Sequence, residues 1–370
     1  MTTNVNIQHT LDQAVTDGGV PGIAVEIRNG KDVWFGSAGV ADTGTDRKRH
    51  QADQFRIGST TKSFTATVVL QLAAEYKLSL DDTVEQWLPS LVQGNGHDGS
   101  KVTIRHLLNQ TSGIYNYALD PEMLEGFFNP GFLEHRFDRW RPEQLVGIAM
   151  KYAPYHQPGE AFKYSNANYM LLGMIIEKAT GASYADQVTW RIIQPLGLTG
   201  TYVPGNDETE LRGQHVRHYS KNTMDGDPAA EIHDVTEINP SFAWAAGGIV
   251  STVSDLNRYF QSLLGGSLLA PAQQEELLTT VSTASEQWIP DTRYGAGMFE
   301  QNLPCGVTLY GAAGMINGSY VYTMGSRDGK RLITVHINAD WIDQGHPIAT
   351  LTGVIEAGFC THAPVGGHEG

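Results

Sequence analysis

The chain has 370 residues, 41% of them apolar and 18% charged, a composition that is ordinary for a globular enzyme. This length is large for one hydrophobic core, so we expect one large domain or two interleaved lobes. The formal net charge of −15 and the pI near 5.2 argue against nucleic acid or an anionic membrane as a partner.

The first residues, MTTNVNIQHTLDQAV, contain neither the basic segment nor the apolar core of a signal peptide. No run of about 18 apolar residues occurs anywhere, so the sequence predicts no membrane span. We therefore expect a cytoplasmic protein; a secreted protein trimmed at its start would look the same. Residues 6–17 predict a helix, and two apolar runs around Asn29-Gly30 in 22–42 predict a β-hairpin.

Helical patterns dominate the middle of the chain. Apolar residues in 59–77 and in 164–181 are spaced as in a helix. The stretch 101–114 predicts a short extended piece followed by a helix, and 247–264 predicts a strand followed by a helix. The stretch 115–160 is rich in aromatic residues and has no regular pattern, so we expect it to be irregular.

The last quarter of the chain predicts a strand, a hairpin around Asp328-Gly329 and a closing helix. Strands therefore cluster at both chain ends. We expect an α/β fold in which one antiparallel sheet, built from both termini and flanked by helices, carries a large, mainly helical insertion. The sheet lobe would comprise 1–57 plus 291–370 and the helical lobe 58–290, with the active site between them.

A chemical motif opens the first helix of the insertion. In Ser59-Thr60-Thr61-Lys62, positions three apart share a helix face, so the Ser59 hydroxyl and the Lys62 amine can meet. A desolvated lysine binds its proton less tightly and can act as a base, and the positive end of the helix dipole favours an alkoxide at Ser59. The same spacing also occurs by chance in many proteins.

A second motif, Tyr164-Ser165-Asn166, precedes an apolar helix about a hundred residues later. The Tyr164 phenol can relay the serine proton if Lys62 lies near it, and the Asn166 amide offers a donor and an acceptor to a substrate amide. A tyrosine packed at a helix start would give the same sequence.

Together the two motifs resemble those of the serine β-lactamase and penicillin-binding protein superfamily, in particular class C β-lactamase-like proteins: soluble DD-carboxypeptidases and related D-amino-acid amidases, esterases and transacylases. Long stretches, such as FRIGSTTKSFTATVVLQLAAEYKLSLDDTVEQWLP, follow the family order over almost the whole chain. The resemblance implies the β-lactamase/DD-peptidase fold and an acyl-enzyme mechanism without a cofactor. In that mechanism Ser59 is the nucleophile, Lys62 assists its deprotonation, Tyr164 is the proton relay or base, and Asn166 orients the acyl side.

The third motif of the family is altered. Relatives carry Lys-Thr-Gly or His-Thr-Gly on the strand beside the cleft, whereas this chain reads Gly311-Ala312-Ala313-Gly314-Met315. The resemblance implies an oxyanion hole made by the backbone N–H groups of Ser59 and Met315, which two alanines leave intact. Ala312 has three open explanations: natural divergence, a His-to-Ala change introduced to trap a complex, or a protein that binds without turnover.

The substrate prediction comes from three apolar positions. Carboxypeptidase relatives hold the terminal carboxylate of their substrate with an Arg and hydroxyls, where this chain has Phe299, Ala313 and Met315. Because a buried carboxylate without charged partners is unfavourable, we predict a small amide or ester with a neutral leaving group. The acyl donor would be D-amino-acid-like, peptide-like or a natural-product acyl group, and the acceptor water or an amine. The alternatives are a β-lactam-reactive DD-carboxypeptidase and a catalytically impaired binding protein.

Other residues give weaker signals. Cys305 and Cys360 match a disulfide of the secreted relatives, and two buried, reduced thiols are the alternative. The histidines at 215, 218 and 233 lack a ligand set at helical spacing, so we expect them in exposed loops and predict no metal. The sequence indicates no oligomeric state. Candidates for an acyl pocket, with core packing as the alternative, are Phe242 first and then Tyr115, Phe128 and Trp140.

Overall fold

The structure is a computed structural model that describes residues 2–223, 227, 229–343 and 347–360. Within these residues, nine strands from both ends of the chain form one antiparallel sheet, which confirms the predicted fold class. In spatial order the strands are Val281–Ser282, Thr292–Tyr294, Phe299–Asn302, Thr308–Ile316, Ser319–Gly325, Arg331–Ile337, Gly22–Asn29, Asp32–Asp42 and Arg47–Lys48.

Both predicted hairpins lie in this sheet. Gly30, with φ +62°, turns the chain between Gly22–Asn29 and Asp32–Asp42, and Gly329, with φ +68°, lies in the second hairpin. Glycine reaches this left-handed region without a steric penalty. The strand Gly22–Asn29 also pairs with Arg331–Ile337, so backbone hydrogen bonds join the two ends of the chain directly.

Different helices bury the two faces of the sheet. Adjacent residues of a strand point to opposite faces, so each face needs its own cover. The terminal helices Thr2–Thr16 and Pro347–Phe359 pack on one face. Helix Val253–Leu264 packs on the other, where the hydroxyl of Thr334 donates a hydrogen bond to Asn257.

The other helices and the short strand pairs lie between residues 55 and 278 of the chain. The helices predicted in 59–77 and 164–181 are confirmed, whereas the one predicted in 101–114 is short. No helix in the described part of the chain is both long and apolar enough to cross a membrane. The α-helices are Thr61–Ala74, Val84–Trp87, Ile104–Leu108, Pro121–Phe128, Phe132–His135, Pro142–Ala149, Asn166–Thr180, Tyr184–Val188, Gln194–Leu196, Trp244–Gly247 and Pro271–Leu278, with a π-helical turn at Thr189–Ile193 and 3₁₀ turns at Gly58–Thr60, Tyr117–Leu119 and Pro240–Phe242. The short strands pair as Phe55–Arg56 with Val250–Ser251, Gln93–Gly94 with His97–Asp98, and Tyr219–Ser220 with His233–Asp234.

The segment 115–160, expected to be irregular, contains three short helices: Pro121–Phe128, Phe132–His135 and Pro142–Ala149. Asp120 starts the first of them, because its carboxylate accepts hydrogen bonds from two backbone N–H groups of the first turn. The expectation was wrong because the many aromatic residues, spread over the whole segment, obscure the spacing of apolar residues that is typical of a helix. The Asp-Pro pair at the helix start is a local signal that the sequence does carry.

A disulfide joins Cys305 and Cys360, which agrees with the pairing that the family resemblance implies. Cys305 lies in the turn between strands Phe299–Asn302 and Thr308–Ile316, and Cys360 directly follows helix Pro347–Phe359. The bond therefore ties the end of the last helix to two neighbouring strands of the sheet.

Candidate active site

The backbone around Ser59 is held very close to a strand of the sheet. Ser59 is partly exposed and lies in a 3₁₀ turn that leads into helix Thr61–Ala74. A Cβ atom on Gly58, whose φ is +48°, would lie 2.5 Å from the carbonyl oxygen of Met315. A Cβ atom on Gly314 would lie 2.8 Å from the backbone nitrogen of Thr60. The two glycines therefore allow the backbones of Ser59 and Met315 to approach each other.

Lys62 reaches back to Ser59 from the first turn of this helix. Its Nζ lies 3.0 Å from Ser59 Oγ, 2.8 Å from Asn166 Oδ1 and 2.7 Å from the carbonyl oxygen of Ala246. The Lys62 side chain is buried, and the helix that carries it is buried on nearly all sides. Three oxygen atoms thus fix the position of the amine.

Burial lowers the pKa of Lys62 well below its usual 10.5, because the protein around it solvates an ammonium less well than water does. The hydrogen-bond partners suit a neutral amine. The Asn166 Oδ1 and Ala246 carbonyl oxygens act only as acceptors, so they take the two N–H bonds of the amine. In the neutral amine the lone pair of Nζ would then face Ser59 Oγ, to which an ammonium would instead donate its third N–H.

Tyr164 contacts Ser59 from the opposite side. Its phenol donates a hydrogen bond to Ser59 Oγ over 2.8 Å. Burial raises the pKa of Tyr164 well above 10, so the phenol keeps its proton at neutral pH. The backbone N–H of Tyr164 donates to Glu286 over 2.8 Å, and that of Asn166 donates to Asn116 over 3.1 Å. These bonds hold both ends of the motif in place.

Two cavities meet at Ser59, and no described residue that lines either of them is an Asp, Glu, Lys, Arg or His. The smaller, of about 50 Å³, is mainly apolar and aromatic; it is lined by Gly58, Ser59, Tyr117, Ala118, Met123, Phe127, Phe128, Asn166, Phe242, Ala243, Ala246, Gly247, Met315 and Ile316. The larger, of about 570 Å³, runs along the strand Thr308–Ile316; it is lined by Ser59, Phe128, Tyr164, Asn166, Gln287, Trp288, Ile289, Pro290, Tyr294, Gly297, Phe299, Ala312, Ala313, Gly314, Met315, Tyr320, Ile348 and Ala349.

Most of the residues predicted for the pocket line these cavities. Phe242 lies in the smaller cavity and Phe128 borders both, while Phe299 and the third-motif residues line the larger. The structure does not bring Tyr115 to either cavity, because its ring stacks on that of Tyr152 with centroids 4.1 Å apart. Trp140 packs beside Phe127 and lines neither cavity.

Several lining residues escaped the sequence analysis. Tyr117, Met123 and Phe127 lie in the aromatic-rich segment, where Asp120 signals a helix start but nothing in the sequence marks the side chains that face the cavity. Trp288, Tyr294 and Tyr320 come from distant parts of the chain and carry no local signal. Only the folding of the late strands brings them to Ser59.

The expectation that the histidines lie in exposed loops is wrong for His218, and His233 lies in the short strand His233–Asp234; His215 and His233 are partly buried. The His218 side chain is fully buried, and its ring meets that of His336 edge-on, with centroids 6.4 Å apart. The neighbouring strand Tyr219–Ser220 forms a bridge to Ala339, which draws this part of the insertion onto the sheet. Among the described residues, no group of three His, Cys, Asp or Glu side chains is arranged to hold a metal ion.

Fold and site together define a class of protein, the enzymes with a serine hydrolase-type fold. The Beta-lactamase family model matches residues 7–343. The chain therefore belongs to the β-lactamase family, in the superfamily that also contains penicillin-binding proteins.

Solved structures resemble the chain over nearly its full length. A D-stereospecific amidohydrolase from Streptomyces sp. is 44% identical, with a TM-score of 0.88 over 97% of this chain and 99% of that one. The D-amino acid amidase from Ochrobactrum anthropi SV3, complexed with L-phenylalanine amide, is 26% identical, with a TM-score of 0.80 over 96% of both chains.

A relative found by sequence, a penicillin-binding protein of Bacillus subtilis (strain 168), is 29% identical over 76% of this chain, which spans only 60% of that protein.

Proposed function

We propose that the chain is a serine amidohydrolase that forms an acyl-enzyme at Ser59 and cleaves D-configured amides or esters with a neutral leaving group. The observation that carries the proposal is the hydrogen-bonded set of Ser59, Lys62 and Tyr164 where two uncharged cavities meet. A nucleophile with an adjacent base can replace one difficult displacement by two easier steps.

In the acylation step, Ser59 Oγ attacks the substrate carbonyl carbon and passes its proton to the lone pair of Lys62. The carbonyl oxygen becomes an oxyanion, which the backbone N–H groups of Ser59 and Met315 would hold. The close approach of the two backbones at Gly58 and Gly314 supports this assignment. The amide of Asn166, whose oxygen is engaged by Lys62, has its N–H groups left to orient the acyl part.

The intermediate then collapses and the bond to the leaving group breaks. Tyr164, which the raised pKa keeps protonated, gives its proton to the leaving atom and regains one from Lys62. Water next attacks the Ser59 ester, the acid departs, and the serine hydroxyl is restored. An amine in place of water would give a transferred acyl group instead.

The neutral leaving group is supported by the larger cavity. Its described lining includes Phe299, Ala313 and Met315 and no side chain with a formal charge. A carboxylate placed there would lose part of its hydration without gaining a cation from the described lining, which is unfavourable. An uncharged amide or ester meets no such penalty.

The D-configuration is supported by similarity over the whole chain. The Streptomyces protein named as a D-stereospecific amidohydrolase is 44% identical and covers 97% of this chain. The aromatic residues Phe127 and Phe242, whose rings stack 4.3 Å apart beside the smaller cavity, suit an apolar acyl side chain.

The test is a panel of phenylalanine amides and esters, with a D-alanyl-D-alanine peptide for comparison. Ammonia or methanol release is measured from the amides and methyl esters of D- and L-phenylalanine, with and without an added amine, and D-alanine release from a D-alanyl-D-alanine peptide. We expect turnover of the D-compounds, little of the L-compounds and of the dipeptide, and none in Ser59→Ala. Release of D-alanine as the main activity would instead favour a DD-carboxypeptidase.

A further inference from the structure

A loop from a distant part of the chain is fastened to the Tyr164 segment. The Ser285 hydroxyl donates to the carbonyl oxygen of Phe162 over 2.8 Å. Glu286 accepts from the backbone N–H of Tyr164 over 2.8 Å and pairs with the Lys163 ammonium at 2.8 Å. Phe162, Lys163 and Tyr164, the last of which begins the second motif, therefore each have a partner in this loop. The Glu286 side chain is only 16% exposed, so its ion pair is partly shielded from solvent.

The same loop places an indole against the phenol that contacts Ser59. The ring of Trp288 stacks on that of Tyr164, with centroids 4.8 Å apart and an interplanar angle of 25°. Two further rings meet Trp288 edge-on, Phe162 at 5.5 Å and Tyr294 at 6.1 Å. Stacked and edge-to-face rings have well-defined relative positions, so the indole forms a fixed wall of the larger cavity.

The direction of proton transfer from Tyr164 indicates which part of the substrate lies beside Trp288. The atom that leaves the substrate must receive a proton, and Tyr164 donates the hydrogen bond to Ser59 Oγ from the side of the larger cavity. Tyr164 does not line the smaller cavity. If Tyr164 protonates the leaving atom, the leaving group would occupy the larger cavity beside Trp288, and the acyl side chain the smaller one.

We propose that Trp288 is a specificity-determining residue that selects amides and esters whose leaving group carries an aromatic or bulky apolar substituent. This inference rests on the proposed function, because a leaving group exists only if Ser59 is acylated. Arylamides and aralkyl amides place a ring against the indole. A primary amide releases ammonia, which has no substituent to contact it.

Steady-state kinetics of Trp288 variants test this, with the anilide and the primary amide of D-phenylalanine as paired substrates. Loss of one aromatic contact in Trp288→Ala is expected to raise KM for the anilide about 10-fold. The KM for the primary amide changes much less, so the ratio of the two KM values rises, and Trp288→Phe restores most of the anilide affinity. Trp190→Ala is the matched control, because Trp190 is 54% exposed and lines neither cavity.

The ratio of the two KM values distinguishes recognition of the leaving group by Trp288 from a general loss of activity. If Trp288 only supports Tyr164, both substrates lose kcat together and the KM ratio does not move, which would overturn the inference. Labelling of Ser59 by a fluorophosphonate distinguishes this from failure of the proposed function. Labelling that persists in Trp288→Ala with an unchanged KM ratio refutes only the role of Trp288, whereas no labelling of the unsubstituted protein refutes both.

Discussion

Replacing Lys62 with methionine removes a buried amine and keeps an unbranched side chain of similar length. In the folded protein the pKa of Lys62 lies well below 10.5, and in the unfolded chain it returns to that ordinary value. Between these two values the unfolded chain binds a proton that the folded protein does not, so this group makes the free energy of unfolding rise with pH. Well inside this interval the rise approaches about 1.4 kcal/mol per pH unit.

Urea denaturation of the unsubstituted protein and of Lys62→Met at pH 8, 9 and 10 measures this contribution. All other titrating groups are common to both proteins, so their effects cancel in the difference between the two free energies of unfolding. The lost hydrogen bonds of Lys62 add a constant that does not depend on pH. We expect the free energy of unfolding of the unsubstituted protein to rise with pH relative to that of the variant, by up to about 1.4 kcal/mol per pH unit. Parallel pH dependences would refute the claim that the folded protein holds Lys62 as a neutral amine.

Three further outcomes are expected. Gly314→Ala places a Cβ 2.8 Å from the Thr60 nitrogen, whereas Gly353→Ala meets nothing within 4 Å. Chemical denaturation and kinetics should show the first losing about 1–3 kcal/mol and roughly 10²-fold in kcat/KM. The second should keep its kcat/KM and gain about 0.5–1 kcal/mol, because Gly353 lies inside helix Pro347–Phe359; equal effects would contradict the close strand approach. Replacing both cysteines with serine opens a link between positions 55 residues apart and should lower the free energy of unfolding by about 4 kcal/mol, as the chain-entropy model estimates; an unchanged denaturation midpoint would contradict it. The rate of Ser59 acylation should rise with pH up to the folded pKa of Lys62 and then level, because only the neutral amine accepts a proton; a fall over that range would rule out Lys62 as the base.

The fold and the reacting groups were accessible from sequence because their signals are local. Two glycine turns with alternating apolar runs specify hairpins, and the spacing between Ser59 and Lys62 specifies one helix face. The motif at Tyr164 adds a third group whose order along the chain matches a known family. The spacings within each motif are local, whereas the role of Tyr164 and the family fold were implied by a resemblance that extends over almost the whole chain.

The pocket walls were less accessible because they depend on contacts between distant segments. Trp288 reaches Tyr164 across 124 positions of the chain, and nothing around it in sequence marks it as a cavity residue. His218 is buried because the strand that follows it, Tyr219–Ser220, docks beside Ala339, although the sequence around it is polar enough for a loop. Tyr115 was assigned to the pocket from its type alone, whereas stacking on Tyr152 holds it elsewhere.

Covalent labelling tests most directly whether Ser59 is a reactive nucleophile. The folded protein is incubated with a fluorophosphonate at neutral pH, digested, and mapped by mass spectrometry, with Ser59→Ala and Lys62→Met treated alongside. We expect one adduct, on the peptide that contains Ser59, which is absent in Ser59→Ala and forms far more slowly in Lys62→Met. A folded protein that gains no adduct, or gains it on another residue, would contradict the account.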